Sequence, residues 1–221
     1  MFKYVIAFSK TGVMCYTSHL DLMRMFKRSF KKAGIRLEYS KGFNPHPKMG
    51  FAQPLSLGYI GLNELMEFET VDDHEPSDLY SKLRELMPEG LDIKSCERLG
   101  GNKKTLAAQT DAAEYIIRIP IETELEKTPE ELKAAYMGQE RITALKRQKK
   151  KKELVEIDIK PMIRELEFMP EDGMLTIKAL LDSGSISNLS PELLINTVNE
   201  FFRLDADRNE MEITRTEIFF L

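Results

Sequence analysis

The sequence contains few of the residues from which most metal and redox sites are built. Its 221 residues include only two cysteines, Cys15 and Cys96, and three histidines. Because the cysteine spacing matches no zinc, iron–sulfur or redox motif, we expect two reduced thiols rather than a disulfide. We predict no bound metal and no cofactor.

Several enzyme motifs are also absent. The chain contains no GxGxxG, GxSxG, HExxH or P-loop pattern. It also lacks CxxxCxxC, without which it cannot by itself assemble the usual cluster of radical S-adenosylmethionine (radical SAM) enzymes. These absences argue against an enzyme without excluding one.

Long apolar stretches are missing as well. No apolar run approaches the ~18–20 residues needed to span a bilayer. The N-terminal segment Met1–Phe8 has the pattern of a strand and lacks the apolar core and cleavage site of a signal peptide. We therefore expect a cytoplasmic protein.

The chain does contain enough apolar residues for a core, and its charge is segregated. Hydrophobic residues make up 42% of the sequence and charged residues 31%, so global disorder is not expected. Residues 1–50 carry ten Lys and Arg against two Asp and Glu, whereas residues 51–100 carry four against eleven. Such segregation indicates either a polyanion-binding face on an acidic protein or ordinary solvated faces.

The first half alternates strand and helix patterns in the order β-α-β-β-α-β. Helices are predicted from Ser18, an N-cap with Asp21 three residues later, and from Pro76. A loop rich in Gly, Pro and Asn spans Gly42–Pro54. This order is the signature of a ferredoxin-like fold. The predicted strands are Lys3–Ser9, Ile35–Ser40, Leu65–Val71 and Leu91–Arg98.

The second half repeats this order with an added hairpin. Strands are predicted at Glu114–Ile121 and Glu210–Leu221, helices from Thr128 and Ser190, and a hairpin around Gly173. We predict an α+β protein with two ferredoxin-like (βαββαβ) halves, mostly antiparallel sheets and helices on one face. The predicted domains are residues 1–99 and 112–221, joined by a linker at 100–111.

The first candidate site opens the first helix, in the motif Ser18–Arg24. Ser18 and Asp21 have a sufficient structural role as caps. Arg24, Lys27 and Lys31 recur at helical spacing and predict a cationic stripe that, with the helix N-terminus, favours phosphates. The alternative is a solvated basic face.

The second candidate site is the loop Gly42–Lys48. Two prolines bracket His46, so we expect a stiff loop that presents its side chains outward. Phe43, Asn44 and His46 would stack on or read a base, and Lys41 and Lys48 would contact phosphate. The alternative is a structural turn in which Asn and Pro only shape the backbone.

Ferredoxin-like topology places these two motifs at the same end of one sheet. We therefore expect His19, Asp21, His46 and Lys48 to lie close together. His19, Asp21 and His46 are the candidate catalytic residues, as a general acid and base or as metal ligands. Neither role follows from proximity alone.

Two further segments are candidates for binding phosphate or another anion. The run Lys146–Lys152 would give salt-sensitive phosphate contacts or a solvated loop. The segment Ser183–Pro191 precedes a helix and would cap it or hold an anion, although it is not a P-loop.

The motifs resemble those of one family, the radical SAM-linked proteins of the DUF2344 family. The resemblance covers nearly the full chain, and the stretch Gly42–Lys48 is its most specific part. Arg215 becomes a candidate anion-binding residue on the resemblance alone, and an edge-strand salt bridge is its alternative. The segments that carry the resemblance are Phe8–Gly12, Ser18–Arg24, Tyr39–Lys48, Pro54–Gly58, Gly184-Ser185 with Asn188 and Pro191, and Arg215–Glu217.

The resemblance implies a setting rather than a mechanism. Family members occur fused to, or encoded beside, radical SAM proteins with a cobalamin-binding-type domain, which is the partner that it implies. Three interpretations follow. The first is an accessory RNA-binding module that recognises the substrate of this partner, the second is a stand-alone enzyme acting on RNA or nucleotides, and the third is a protein–protein adaptor.

Overall fold

A computed structural model describes residues 2–100, 104–122, 125–147 and 153–221. The chain is a mixed α+β protein with mostly antiparallel strands. It divides into two compact units, unit 1 with residues 1–110 and 217–221, and unit 2 with residues 111–216. None of the helices in the described ranges is long and apolar enough to cross a membrane.

Unit 1 follows the predicted alternation of strands and helices. A 3-10 helix at Gly12–Tyr16 connects the first strand to the first helix. Ser18 caps that helix as predicted, and Gly34 follows its end with a φ of 72°, in the left-handed region that glycine adopts readily. The elements of unit 1 are β1 (Phe2–Lys10), α1 (His19–Lys32), β2 (Met49–Phe51), β3 (Ile60–Thr70), α2 (Pro76–Arg84), β4 (Leu91–Arg98) and α3 (Leu106–Gln109).

The sheet of unit 1 has the order β4-β1-β3, and β2 also pairs with β3. All three pairings are antiparallel. Alternate residues of β1 are buried, which places Tyr4, Ile6 and Phe8 in the core against Phe26 and its neighbours in α1. Aromatic contacts join these layers, with the Phe8 and Phe26 ring centroids 5.2 Å apart.

The second predicted strand, Ile35–Ser40, is not a regular strand. It makes two isolated bridges, Leu37 to Thr70 and Tyr39 to Pro47. The strand that pairs with the central part of β3 is β2, which lies inside the segment predicted as a loop. Residue Leu37 and strand β2 both pair with the backbone of β3. Neither Ile35–Ser40 nor β2 therefore pairs with β3 along the full length of β3.

Unit 2 also contains the predicted elements. Thr128 and Glu131 form a capping box at the start of α4, and Ser190 caps α5. Gly173, with a φ of 71°, turns the predicted hairpin between β8 and β9. The elements of unit 2 are β5 (Thr110–Pro120), α4 (Pro129–Met137), β6 (Thr143–Arg147), β7 (Leu154–Asp158), β8 (Ile163–Glu171), β9 (Met174–Asp182), α5 (Pro191–Phe202) and β10 (Glu212–Phe220), of which Thr110 and Glu217–Phe220 belong to unit 1.

The sheet of unit 2 has the order β10-β5-β9-β8. A separate two-stranded sheet pairs β6 with β7. Lys146 and Arg147 end β6, whereas 148–152 lie outside the described residues. In the core of this unit the Tyr136 hydroxyl is 2.7 Å from the Thr197 hydroxyl, which satisfies both buried groups.

The unit boundaries differ from the predicted domain boundaries at two places. The end of the predicted linker packs on unit 1, because Leu106 N–H donates to Glu67 (3.1 Å) and the Thr110 hydroxyl donates to the Ala52 carbonyl (3.2 Å). The last five residues also belong to unit 1. There Asn63 donates to both carboxylate oxygens of Glu217 at 2.8 and 3.0 Å.

A close approach in β3 generates a stability prediction. A Cβ atom at Gly61 would lie 2.6 Å from Cγ of the buried Glu64 side chain. We expect Gly61→Ala to lower the free energy of unfolding by about 1–3 kcal/mol, because Glu64 has no room to move. Urea denaturation measures the change.

Gly50→Ala is the matched control, since its Cβ would meet nothing within 4 Å. We expect this variant to stay within about 0.5 kcal/mol of the wild type. Equal losses in both variants would contradict the steric explanation.

Candidate nucleic-acid interface

The motif Ser18–Arg24 begins α1 and forms a hydrogen-bonded cap. The Ser18 hydroxyl accepts from Asp21 N–H at 3.2 Å and donates to the Asp21 carboxylate at 2.8 Å. Arg24 donates to the same carboxylate at 2.9 Å. The Ser18 hydrogen bond and, next, the Arg24 guanidinium hold the pKa of Asp21 below its ordinary value. Asp21 is therefore an ionised capping residue, which is the structural role that the sequence allowed.

The outer surface of α1 is basic. We call this surface the α1 basic face and define it by five exposed residues, Arg24, Lys27, Arg28, Lys31 and Lys32. Lys27 lies over the ring of Tyr39, with its Nζ 5.7 Å from the ring centroid. Tyr39 directly precedes residues 40–48, which contain the second candidate site, so the α1 basic face and this loop are neighbours.

The 40–48 loop is closed at its base by backbone hydrogen bonds. Ser40 N–H donates to the His46 carbonyl at 2.8 Å, and His46 N–H donates to the Ser40 hydroxyl at 3.0 Å. Tyr39 bridges to Pro47 just outside this pair. The loop is therefore anchored at both ends by hydrogen bonds of residues 39–47.

The tip of this loop points into solvent. Phe43 is exposed to 112% of the reference value, so its ring packs against nothing in its own unit. Lys41, Asn44 and His46 are exposed around it. Water surrounds an apolar ring here, and this is costly for the free protein.

Beside the loop lies an open cleft of about 600 Å³, which we call the loop cleft. Ser40, His46 and Lys48 line it, together with Lys3 and residues of β2, β3 and α3. Its volume lies within the range of small-molecule sites.

Lys48 forms an ion pair at the loop cleft. Its ammonium group lies 2.8 Å from the Glu69 carboxylate, and both residues line the cleft. A second pair, Lys3 with Glu67 at 2.7 Å, lies on the same cleft. A phosphate group at Lys48 would therefore have to compete with a carboxylate.

His19 lines a different cavity from His46 and Lys48. Its ring meets Phe51 edge-on, with centroids 5.2 Å apart, and lines an enclosed cavity of about 10 Å³. Phe51 lines both this cavity and the loop cleft. Of the four residues expected to lie close together, His46 and Lys48 line the cleft, His19 lines the smaller cavity, and Asp21 belongs to the cap of α1. Among the described residues no three His, Cys, Asp or Glu side chains are placed to hold a metal ion.

The enclosed cavity contains two buried charged residues that sequence reasoning missed. Lys10 is 1% exposed and Glu64 is 3% exposed. Lys10 ends the buried face of β1 and donates to the Cys15 carbonyl at 3.0 Å. The alternating pattern of the first strand places Lys10 on its inward face, and this position could have identified the residue. A buried charge requires dedicated partners, so a lysine at such a position is informative.

Arg215 is also buried, at 1% exposure, within β10. A nucleic acid on the surface cannot reach a side chain so enclosed. The expectation that Arg215 binds an external anion is therefore corrected. Ile213 and Thr214 are buried beside it, so the burial of Arg215 does not follow an alternating pattern that the sequence could have shown.

Both cysteines are free thiols. Burial raises the pKa of the Cys96 thiol to about 12, so this group stays protonated at neutral pH. A protonated thiol is a poor nucleophile and metal ligand.

Comparisons with known proteins identify a family and a fold. The family model described as an uncharacterised protein conserved in bacteria (DUF2344) matches residues 3–191. A search of curated proteins finds no match. Among solved structures, a chain of a Cbf5-Nop10-Gar1 complex matches with 13% identity and a TM-score of 0.56 over 97% of this chain. The present chain spans about half of that one, 48%, and the likeness concerns the fold alone.

A second solved structure is an unknown protein from Galdieria sulphuraria. It is 12% identical and covers 97% of this chain and 98% of its own. Its TM-score of 0.28 is too low to carry an argument.

The cap of α1 leads to a pH-dependent prediction. Ser18→Ala removes the first hydrogen bond of the Asp21 carboxylate and the acceptor for Asp21 N–H, so the pKa of Asp21 should rise towards its ordinary value. Loss of an N-cap costs about 0.5–2 kcal/mol. NMR titration of the Asp21 carboxyl carbon and urea denaturation measure the two effects.

The direction of the pH effect on stability follows from the lowered pKa of Asp21. Ionised Asp21 stabilises the folded chain above about pH 4, and this contribution disappears as the pH falls through its folded pKa. The difference between wild type and Ser18→Ala should therefore shrink at acid pH. Ser81→Ala, within α2, is the control and should leave the titration of Asp21 unchanged.

Proposed function

We propose that this chain, which belongs to the DUF2344 family of uncharacterised proteins conserved in bacteria, is a recognition module for single-stranded RNA. The observation that carries the proposal is the fully exposed Phe43 at the tip of an anchored loop. An RNA base stacked on this ring would remove its apolar surface from water. The ring tolerates every base because every base has a π face.

The α1 basic face supplies the second half of the proposed interface. Lys27 stands over Tyr39 at the base of the loop, and Lys31 and Lys41 are exposed on either side. Phosphates bound by these residues would position a strand along α1 and its bases at Phe43 and His46. Contacts of this kind release counterions and make the affinity dependent on salt.

We further propose that each unit is a ferredoxin-like half. In unit 1 the strands follow the order β4-β1-β3-β2 around two helices, and in unit 2 the order β10-β5-β9-β8 has the same form once the β6–β7 hairpin is set aside. Both match the antiparallel arrangement of a βαββαβ unit. A crystal structure in which Met49–Phe51 does not pair with β3 would contradict this assignment for unit 1.

The enzyme interpretation receives less support. Asp21 is engaged with Ser18 and Arg24, and His19 and His46 line different cavities. A general acid and base must both reach the reacting atoms. This arrangement therefore supports a shared catalytic group less than it supports a recognition surface.

The first prediction concerns Phe43. We expect Phe43→Ala to weaken binding of a single-stranded ten-nucleotide RNA roughly 5- to 150-fold, since base–aromatic stacking contributes about 1–3 kcal/mol. Fluorescence polarisation with end-labelled RNA measures the affinity. The slope of log K against log salt should be about −0.7 for each phosphate contacted.

Ile186→Ala is the matched control for this experiment. Ile186 is a fully exposed apolar residue in a loop of unit 2, so its loss removes similar surface without touching the proposed interface. Equal affinity of all three proteins, or no RNA binding by the wild type at low salt, would refute the proposed function.

A second prediction concerns the proposed partner, a radical SAM protein with a cobalamin-binding-type domain. Exposed apolar side chains at Val13, Tyr16 and Leu20, on the 3-10 helix and the start of α1, favour a protein contact in this region. We expect the tagged chain to retain this protein from the same organism after nuclease treatment, and Tyr16→Ser to reduce the amount retained. Retention that disappears with nuclease would mean that RNA alone bridges the two proteins.

A further inference from the structure

The loop cleft differs in charge from the α1 basic face, although the two are neighbours. Its lysines are neutralised within the cleft, Lys48 by Glu69 at 2.8 Å and Lys3 by Glu67 at 2.7 Å. A phosphate group entering the cleft would meet two carboxylates. The cleft therefore suits an uncharged part of a ligand better than an anionic one.

The two carboxylates do not have the same freedom to bind a ligand. Glu67 is buried, and one of its oxygens accepts from both Lys3 and Leu106 N–H. Glu69 is only partly buried, and its ion pair with Lys48 uses Oε2. Glu69 also lines the cleft, and an ionised carboxylate has a second oxygen, Oε1, that can accept from a ligand.

Two residues with ring side chains line the cleft and would contact a flat ligand. These are His46 and Pro47, and Met49 and Gly50 of β2 line the cleft as well. The Ser40 hydroxyl adds a group that both donates and accepts. A planar heterocycle with N–H donors on its edge is complementary to such a surface.

We propose that the loop cleft holds one base of the RNA and that Glu69 selects bases with an exocyclic amino group. This inference rests on the proposed RNA recognition and adds a base preference to it. Adenine, cytosine and guanine present amino donors to a carboxylate, as in the pairing of Glu with cytosine N4. Uracil presents two carbonyl acceptors beside its single N–H and meets repulsion there. Phe43 contributes affinity for any base, and Glu69 contributes the choice between bases.

The test compares ten-nucleotide RNAs that differ at one position. The reference strand is all uridine, and three others carry one adenosine, cytidine or guanosine at the centre. Fluorescence polarisation with the full chain should give about tenfold tighter binding for the strands with an amino-bearing base. The ratio of the two dissociation constants is the quantity of interest.

The variant Glu69→Gln tests whether Glu69 causes the base preference. The amide both donates and accepts, so it should bring the ratio close to one. The variant also releases Lys48 from its ion pair and strengthens binding of every strand, but this effect cancels in the ratio. Glu97→Gln removes an exposed carboxylate on β4 and should leave the ratio unchanged.

Each outcome decides the question. A wild-type ratio near one with clear RNA binding overturns the base preference and leaves the RNA-binding proposal intact. Absence of RNA binding overturns both. A ratio of about ten that persists in a folded Glu69→Gln variant overturns the role of Glu69, and if that variant does not fold, Glu69→Asp, which shortens the carboxylate, should lower the ratio.

Discussion

The pairing capacity of one strand, β3, determines how the candidate interface is presented. Leu37 bridges to Thr70 at its end, and β2 pairs with Met66–Phe68 further back. Between these two pairings, at Glu69, the Lys48 carbonyl accepts from Glu69 N–H at 2.9 Å. The chain between these contacts has no strand left to pair with and must leave the sheet. The 40–48 loop, its exposed tip and the cleft beside it all follow from this constraint.

The loop also illustrates what sequence patterns can and cannot predict. Its exposed side chains were predictable from Pro45 and Pro47, because proline restricts its own φ and the residue before it, whereas the stiffness of the loop stays a prediction. Its boundaries did not follow, because alternation at Ile35–Ser40 favours a strand while the competition for β3 is a tertiary effect. Most helix starts were predictable, since caps such as Ser18 and Thr128 are local chemistry.

Charge was the least predictable property of the candidate site. The excess of Lys and Arg in the first fifty residues indicates a basic surface, but the sequence does not show which cations are neutralised by residues distant in the chain. Glu69 pairs with Lys48, and Asp72 with Arg36, both across the end of β3. The buried Lys10 and Arg215 were equally hidden, because a charged residue in a strand pattern is normally assigned to the solvent side.

The residues that close the 40–48 loop differ from the residues that are exposed at its tip. The hydrogen bonds that close it involve backbone groups and the Ser40 hydroxyl, none of which lies at the tip. Lys41, Phe43 and Asn44 can therefore change without loss of the closure, whereas Gly42, with a φ of 140°, is restricted to glycine by its backbone. A family built on this loop would be able to diversify its targets by substitution of a few tip residues, in the way that antibodies vary hypervariable loops on a constant framework.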